Sequence, residues 1–309
     1  MDATLVFQQM VIMFILMALG FALSRAKVFS IKAPADFSKL ITEVCNPALM
    51  ISSALNRDST AGEKNLLSAV LLAVIYYTVL VGIGMLIPRI IRAKKSEIKF
   101  YQLLATFGNI GFMGIPLLTA VLGSGVVIYL SFFIVIFNLL IYTYGITVLT
   151  TKGQDEKHKF VWSKMINLGT IASVVTIAIY ALNITAPKLI GQTLQYIGQC
   201  TTFIAMAIIG MALAQIPVKK LLTEYRMYPF LIIRFLLLPI VVALCLKPFL
   251  QNELLLQVTV LTLALPSGNM ALMMAEQYGE KTDVLAKGIV LSTIFSVVTV
   301  TIASWVVAL

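Results

Sequence analysis

Four places in the chain set polar or helix-breaking residues into apolar surroundings. Glu43, Asn46 and Pro47 stand together in ITEVCNPAL. Gly108, Asn109, Gly111, Gly114 and Pro116 fall within FGNIGFMGIPLL, Phe107–Leu118. Pro266, Ser267, Gly268 and Asn269 interrupt LALPSGNMALMM, and Arg234 is set in LIIRFLLLP. Positions three and four apart share a helix face, so Glu43, Asn46 and the carbonyls freed by Pro47 can face one cavity. That is a proton or cation site, or else a carboxylate near a helix end paired with Lys39 one turn away. Asn109 and Asn269 carry amides that donate without adding a buried charge. They are candidate anion ligands, with Gly111, Pro116, Pro266 and Ser267 shaping the backbone around them. Arg234, about two turns into its segment, could hold an anion, but its long side chain is expected instead to snorkel to the cytoplasmic interface. Glu276, four residues before Glu280, reads as a solvated helix end. Asn138 reads as a hydrogen-bonding residue between helices, and Gln199, Thr201 and Thr202 as candidate cavity lining.

Composition names the solvent these groups avoid. The chain has 309 residues, of which 60% are hydrophobic and only 12% charged. Its mean hydropathy is +0.98. A soluble domain is nearer half apolar and a quarter charged, so the chain is an all-α polytopic membrane protein. The net charge of +10 is not a nucleic-acid signature, because the basic residues lie mostly in short loops between apolar segments. Cys45, Cys200 and Cys245 all lie in apolar segments and read as small core residues. His158, the sole histidine, stands in a charged loop, which argues against a histidine metal site. Metalloprotease, nucleophile-elbow and phosphate-loop motifs are absent from the sequence, so transport is favoured over catalysis and no cofactor is expected.

The elements that must position these residues follow from length. At about 20 apolar residues per span, ten crossings are expected. They are Leu5–Ser24, Ala35–Leu55, Leu66–Ile87, Tyr101–Leu122, Val126–Thr150, Asn167–Leu182, Gln192–Gln215, Tyr228–Phe249, Leu254–Tyr278 and Val284–Val307. Loops after odd segments carry eighteen Lys and Arg, and the alternate loops carry only Arg57, Lys64, Lys188 and Lys247. This bias predicts both termini outside, with Lys94, His158 and Lys219 in the cytoplasm. The longest loop, residues 151–164, divides the chain into a first repeat, 1–150, and a second, 165–309, of five segments each. An odd number per half makes the second repeat inverted. Segments four and nine are each interrupted near the middle, and paired interruptions of this kind point to a transporter binding site. Backbone left unpaired at membrane depth needs protein or a water-filled cavity to satisfy it. The reading is therefore of broken helices four and nine that line a polar cavity.

GNIGFMGIPL (Gly108–Leu117) resembles the signature of the auxin efflux carrier family in its compact bacterial form. GFALSRAKVFS (Gly20–Ser30), NPALM (Asn46–Met50) and LALPSGNMALMMAEQYG (Leu263–Gly279) extend the resemblance over the whole chain. The resemblance implies ten helices in two inverted repeats. Segments one, two, six and seven form a scaffold and the other six a moving core, with broken helices crossing at the membrane centre. It also implies carriage of carboxylates such as malate or malonate. The function expected is secondary active transport of small organic anions across the cytoplasmic membrane by alternating access, coupled to protons. A sodium-coupled symporter and a membrane sensor that binds ligand without turnover are the alternatives. The partners expected are the anion, H⁺ or Na⁺, and the bilayer, with a homodimer left open.

Overall fold

Long apolar runs without breakers become long helices, and the breakers mark where helices stop. The computed structural model describes residues 3–30, 33–56, 66–150, 167–215, 224–280 and 282–308. In chain order the helices are α1 (Ala3–Arg25), α2 (33–55), α3 (Leu66–Ile90), α4 (Ile98–Thr106), α5 (Ile110–Leu122), α6 (Val126–Thr150), α7 (Leu168–Ala181), α8 (Lys188–Gln215), α9 (Met227–Leu246), α10 (Glu253–Ala264), α11 (Asn269–Gln277) and α12 (Asp283–Ala308). Among the described residues six of these, α1, α3, α6, α8, α9 and α12, are long and apolar enough to cross a membrane. The charged loop with His158, and the loops with Arg57, Lys64, Lys219 and Lys220, lie outside the described residues, as does the side chain of Glu276.

Three helices contain a π-helical turn that ends two residues before a proline. The turns are Ile41–Cys45 in α2, Ile110–Gly114 in α5 and Ile232–Leu237 in α9, and the prolines are Pro47, Pro116 and Pro239. Proline lacks the amide for the usual bond and its ring crowds the preceding turn. A wider turn just before it relieves that crowding, and π-turns collect at functional sites. The break in the fourth segment is accordingly narrower than expected. It covers residues 107–109, and the helix resumes at Ile110 and runs through Pro116 to Leu122.

Packing sorts most of the helices into two neighbourhoods. Helices α1 and α2 pack on α8, and α7 packs on α2, while α3, α9 and α12 pack against α4 and α10, the first halves of the broken segments. The α1–α8 contact brings backbone onto backbone: a Cβ on Gly210 would run into the Met17 carbonyl oxygen and the Phe21 amide nitrogen. That approach gains dispersion and is the usual role of small residues between membrane helices. Large apolar side chains cover the outer surface, among them Ile15, Leu71, Val241 and Leu244. Such a surface is stable in lipid and not in water. It also accounts for two cysteines. Cys45 is buried as expected, but Cys200 and Cys245 are exposed and not core residues. An apolar segment in a membrane protein has an outward face, and sequence alone does not separate it from the inward one.

Candidate functional site

The site begins where two helices stop. Leu265 precedes Pro266, which disfavours a helical conformation, and Leu265 is extended (φ −61°, ψ 147°). On the other segment Phe107 leaves the helix (φ −105°, ψ 91°). The two breaks meet as a single antiparallel bridge between Gly108 and Ser267. The Asn109 amide donates to the Pro266 carbonyl at 2.8 Å, and the Gly268 amide donates to the Phe107 carbonyl at 2.8 Å. Side chains have little room here: a Cβ on Gly268 would lie 2.9 Å from the Gly108 carbonyl oxygen. Backbone on both sides cannot yield, so glycine is required.

A helix ends with unpaired carbonyls. Here α4 and α10 both end in the protein interior, and four of their carbonyls find side-chain donors. Ser267 Oγ donates to Leu104 O at 2.8 Å, and Thr299 Oγ1 donates to Ala264 O at 3.2 Å. Arg234 serves the other two. Its Nε donates to Ala105 O at 2.6 Å and its Nη1 to Leu263 O at 2.8 Å. The residue is 0% exposed, so it does not snorkel; it is the buried charge that joins the two breaks. Tyr76 lies beside the guanidinium, and the Phe235 ring is 4.8 Å from it. Nη2 and the Tyr76 hydroxyl make no hydrogen bond of good geometry. Arg234 forms no ion pair among the described residues. The planar fork of arginine spans two carbonyls on separate chain segments, which a lysine ammonium does with less definition.

The amide ends of the same segments face a different environment. A cavity of about 470 Å³ is lined by Gly108, Asn109 and Gly111 from one segment and by Gly268 and Asn269 from the other. Glu43 and Asn46 reach it from α2, Asn138 and Tyr142 from α6, and Asn167 and Gly169 from the start of α7. Met50, Ile110, Phe112, Ile115, Ile134, Phe137, Met270 and Met273 supply apolar walls. Among the described residues Glu43 is the sole charged side chain in that lining, and it is exposed. It takes part in none of the ion pairs found among the described residues, so no pair with Lys39 is seen.

Two buried amides in this lining have unused capacity. Asn109 is 4% exposed and caps α5, its Oδ1 accepting from the Phe112 amide at 3.2 Å, yet its Nδ2 has no partner. Asn46 is 8% exposed and its Oδ1 has no partner. Its Nδ2 would lie 3.3 Å from a Cβ on Gly111, so α2 touches the π-turn of α5 here. Both residues line the cavity, and their unmet atoms are themselves buried, a donor and an acceptor without a partner.

Asn109, Gly111, Asn269, Glu43 and Asn46 thus share one cavity. Three other candidates do not line it. Pro266 and Ser267 build the bridge behind it, and Pro116 is buried beyond the π-turn. Gln199, Thr201 and Thr202 do not line it either; Gln199 is exposed and Thr201 buried. Asn138, read as a bond between helices, lines the cavity. Tyr142 and Asn167 were not singled out from sequence. Asn167 had a signal, since Asn before an apolar run is an N-cap, and its Oδ1 accepts from the Thr170 amide at 3.0 Å.

The family model for a membrane transport protein matches residues 5–304 of this chain. The chain belongs to that family, which is the auxin efflux carrier family. Members of this family are transporters and not enzymes, so the auxin efflux carrier fold places a substrate and a lipid bilayer among the chain's partners. A comparison with curated proteins finds no match to the chain.

Proposed function

We propose that this auxin efflux carrier family member is a secondary active carrier of small organic anions, working by alternating access in the cytoplasmic membrane and coupled to protons. One observation carries the reading. Two helix amide ends and two buried, partly unmet amides converge on one cavity whose described lining holds no lysine or arginine. Each such end presents roughly half a positive charge and free backbone donors. A carboxylate fits that field, and the apolar walls fit a small organic body. Asn109 and Asn269 are its ligands, Gly111 admits Asn46 to the same wall, and Pro116, Pro266 and Ser267 hold the backbone that presents them. Glu43 and Asn46 are the coupling pair across the cavity. An anion at the amide ends and the Glu43 carboxylate across the cavity repel each other, and a coupling cation at Glu43 offsets that repulsion.

Ten crossings in two inverted repeats, 1–150 and 165–309, agree with the antiparallel meeting of the breaks. The loop charges then set both termini outside. On that topology Glu43, Tyr142 and Asn167 lie toward the cytoplasm, and the cavity opens inward. Helices α1, α2, α7 and α8 supply the scaffold against which the remaining helices move.

Flux into proteoliposomes tests the reading. Purified protein is screened over labelled mono- and dicarboxylates, first with an imposed pH gradient and then with a sodium gradient. Saturable uptake driven by the pH gradient is expected. Drive by sodium alone would give the coupling to Na⁺ at Glu43 and Asn46. Saturable binding with no flux under either gradient would make the protein a ligand sensor.

A further inference from the structure

A broken helix by itself makes a poor anion site. The amide end of its second half carries about half a positive charge, and the carbonyl end of its first half carries about half a negative charge close by. At the meeting of two breaks, two positive ends and two negative ends nearly cancel. Arg234 changes that balance. It lies against both negative ends at once, bonded to Ala105 O and Leu263 O, with no carboxylate paired to it among the described residues. One full positive charge offsets two halves of a negative one. The two amide ends facing the cavity are then left with about one unit of positive charge between them, enough for one carboxylate.

We infer that Arg234 is the fixed cation of the anion site, acting without touching the anion. It neutralises the carbonyl ends of α4 and α10 and so leaves the amide ends of α5 and α11 as the dominant field in the cavity. The arrangement keeps the cation out of reach of the ligand. A lysine or arginine inside the cavity would form a direct ion pair, which must be broken for release. A cation held behind the crossing attracts the anion through the backbone and still lets it leave. Arg234 is thus a positioning and electrostatic residue of the site. The inference relies on the carrier reading only for the identity of the anion.

The test measures the field itself and needs no substrate. In a background with Cys45, Cys200 and Cys245 replaced, Asn269→Cys places a thiol at the first residue of α11, in the cavity wall. The rate of alkylation by N-ethylmaleimide against pH gives the apparent pKa of that thiol in the folded protein. With Arg234 present it is expected below the ordinary thiol value of about 8.5. Arg234→Gln and Arg234→Met should raise it by about one, a tenfold loss of thiolate at neutral pH, and Arg234→Lys should leave it low. The Lys and Gln variants both disturb the packing, but only Gln removes the charge. If Arg234→Met does not fold, the Lys and Gln pair decides alone. An unchanged value in all variants overturns the inference. So does an equal rise in Lys and Gln, which would make the effect one of geometry. Neither result bears on whether the protein carries carboxylates.

Discussion

The carbonyl ends and the amide ends of the same two broken segments are treated in opposite ways. At the carbonyl ends of α4 and α10, four acceptors meet donors from Arg234, Ser267 and Thr299. At the amide ends of α5 and α11, a cavity is left and two buried amides keep unmet atoms. Helix geometry makes both ends equally needy. The difference teaches that a break becomes a site only when one of its two ends is closed. Closing the carbonyl ends holds the crossing together; leaving the amide ends open gives the ligand something to complete.

Removing the closure should have the largest effect. Arg234→Ala deletes donors to two buried carbonyls and opens a void between three helices. A loss of about 2–6 kcal/mol is expected, at about 1–3 kcal/mol for each of the two buried carbonyls left unpaired. Thermal unfolding in detergent, followed by loss of the monodisperse peak, measures it. The same truncation at the open end, Asn109→Ala, removes one cap bond and should cost less, about 0.5–2 kcal/mol. If both variants melt like the parent, the contrast between the two ends does not exist.

How much of this was readable from sequence divides along the same line. Pro266 forbids helix at Leu265, and glycines next to Asn109 weaken the other segment, so both breaks were legible from local chemistry. The placing of Asn109 and Asn269 at those breaks was legible for the same reason. The closure was not. Arg234 bonds a carbonyl 129 residues before it and another 29 residues after it. A sequence shows the depth of an arginine along its own segment but not which carbonyls wait there, and depth alone suggested snorkelling. The lining by Tyr142 and Asn138 was hidden too, because a polar residue on an apolar helix can face a cavity, a neighbour or lipid with the same spacing. The π-turns were hidden because the prolines that accompany them are equally compatible with a kink or a helix end.

At the open end the expected effects are on ligand more than on fold. Asn109→Ala and Asn269→Ala should each weaken carboxylate binding by about 1–3 kcal/mol, the cost of a lost partner for a buried polar group. Calorimetric titration of whichever carboxylate the flux screen identifies reads this directly. Unchanged affinity in both, in protein that folds normally, would move the site away from the crossing.

Glu43 sharpens the contrast from across the cavity. A one-unit pH gradient drives a one-proton symport to about tenfold accumulation. Glu43→Gln should reduce accumulation to equality on the two sides while exchange of labelled for unlabelled substrate continues. Full pH-driven accumulation in the mutant would assign the proton elsewhere.

The smallest effect is expected at Pro116, which lies inside α5, past its amide end. It sits two residues beyond the π-turn Ile110–Gly114, and that turn presents Gly111 and Asn109 to the cavity. Alanine at 116 restores a backbone donor and removes the ring that crowds the preceding turn. The π-turn then has less to hold it open against the ordinary helix. Annealing it would rotate Gly111 away from Asn46, where the approach is close. The crossing itself would survive, because its bridge uses the backbone of residues 107–109 and 266–268 and not Pro116. Pro116→Ala should therefore fold as well as the parent and bind carboxylate within a factor of about two, while turnover falls by about threefold, less than 1 kcal/mol on the barrier. A loss of affinity as large as that of Asn109→Ala would mean that the π-turn, and not the cap residue, carries the open end of the site.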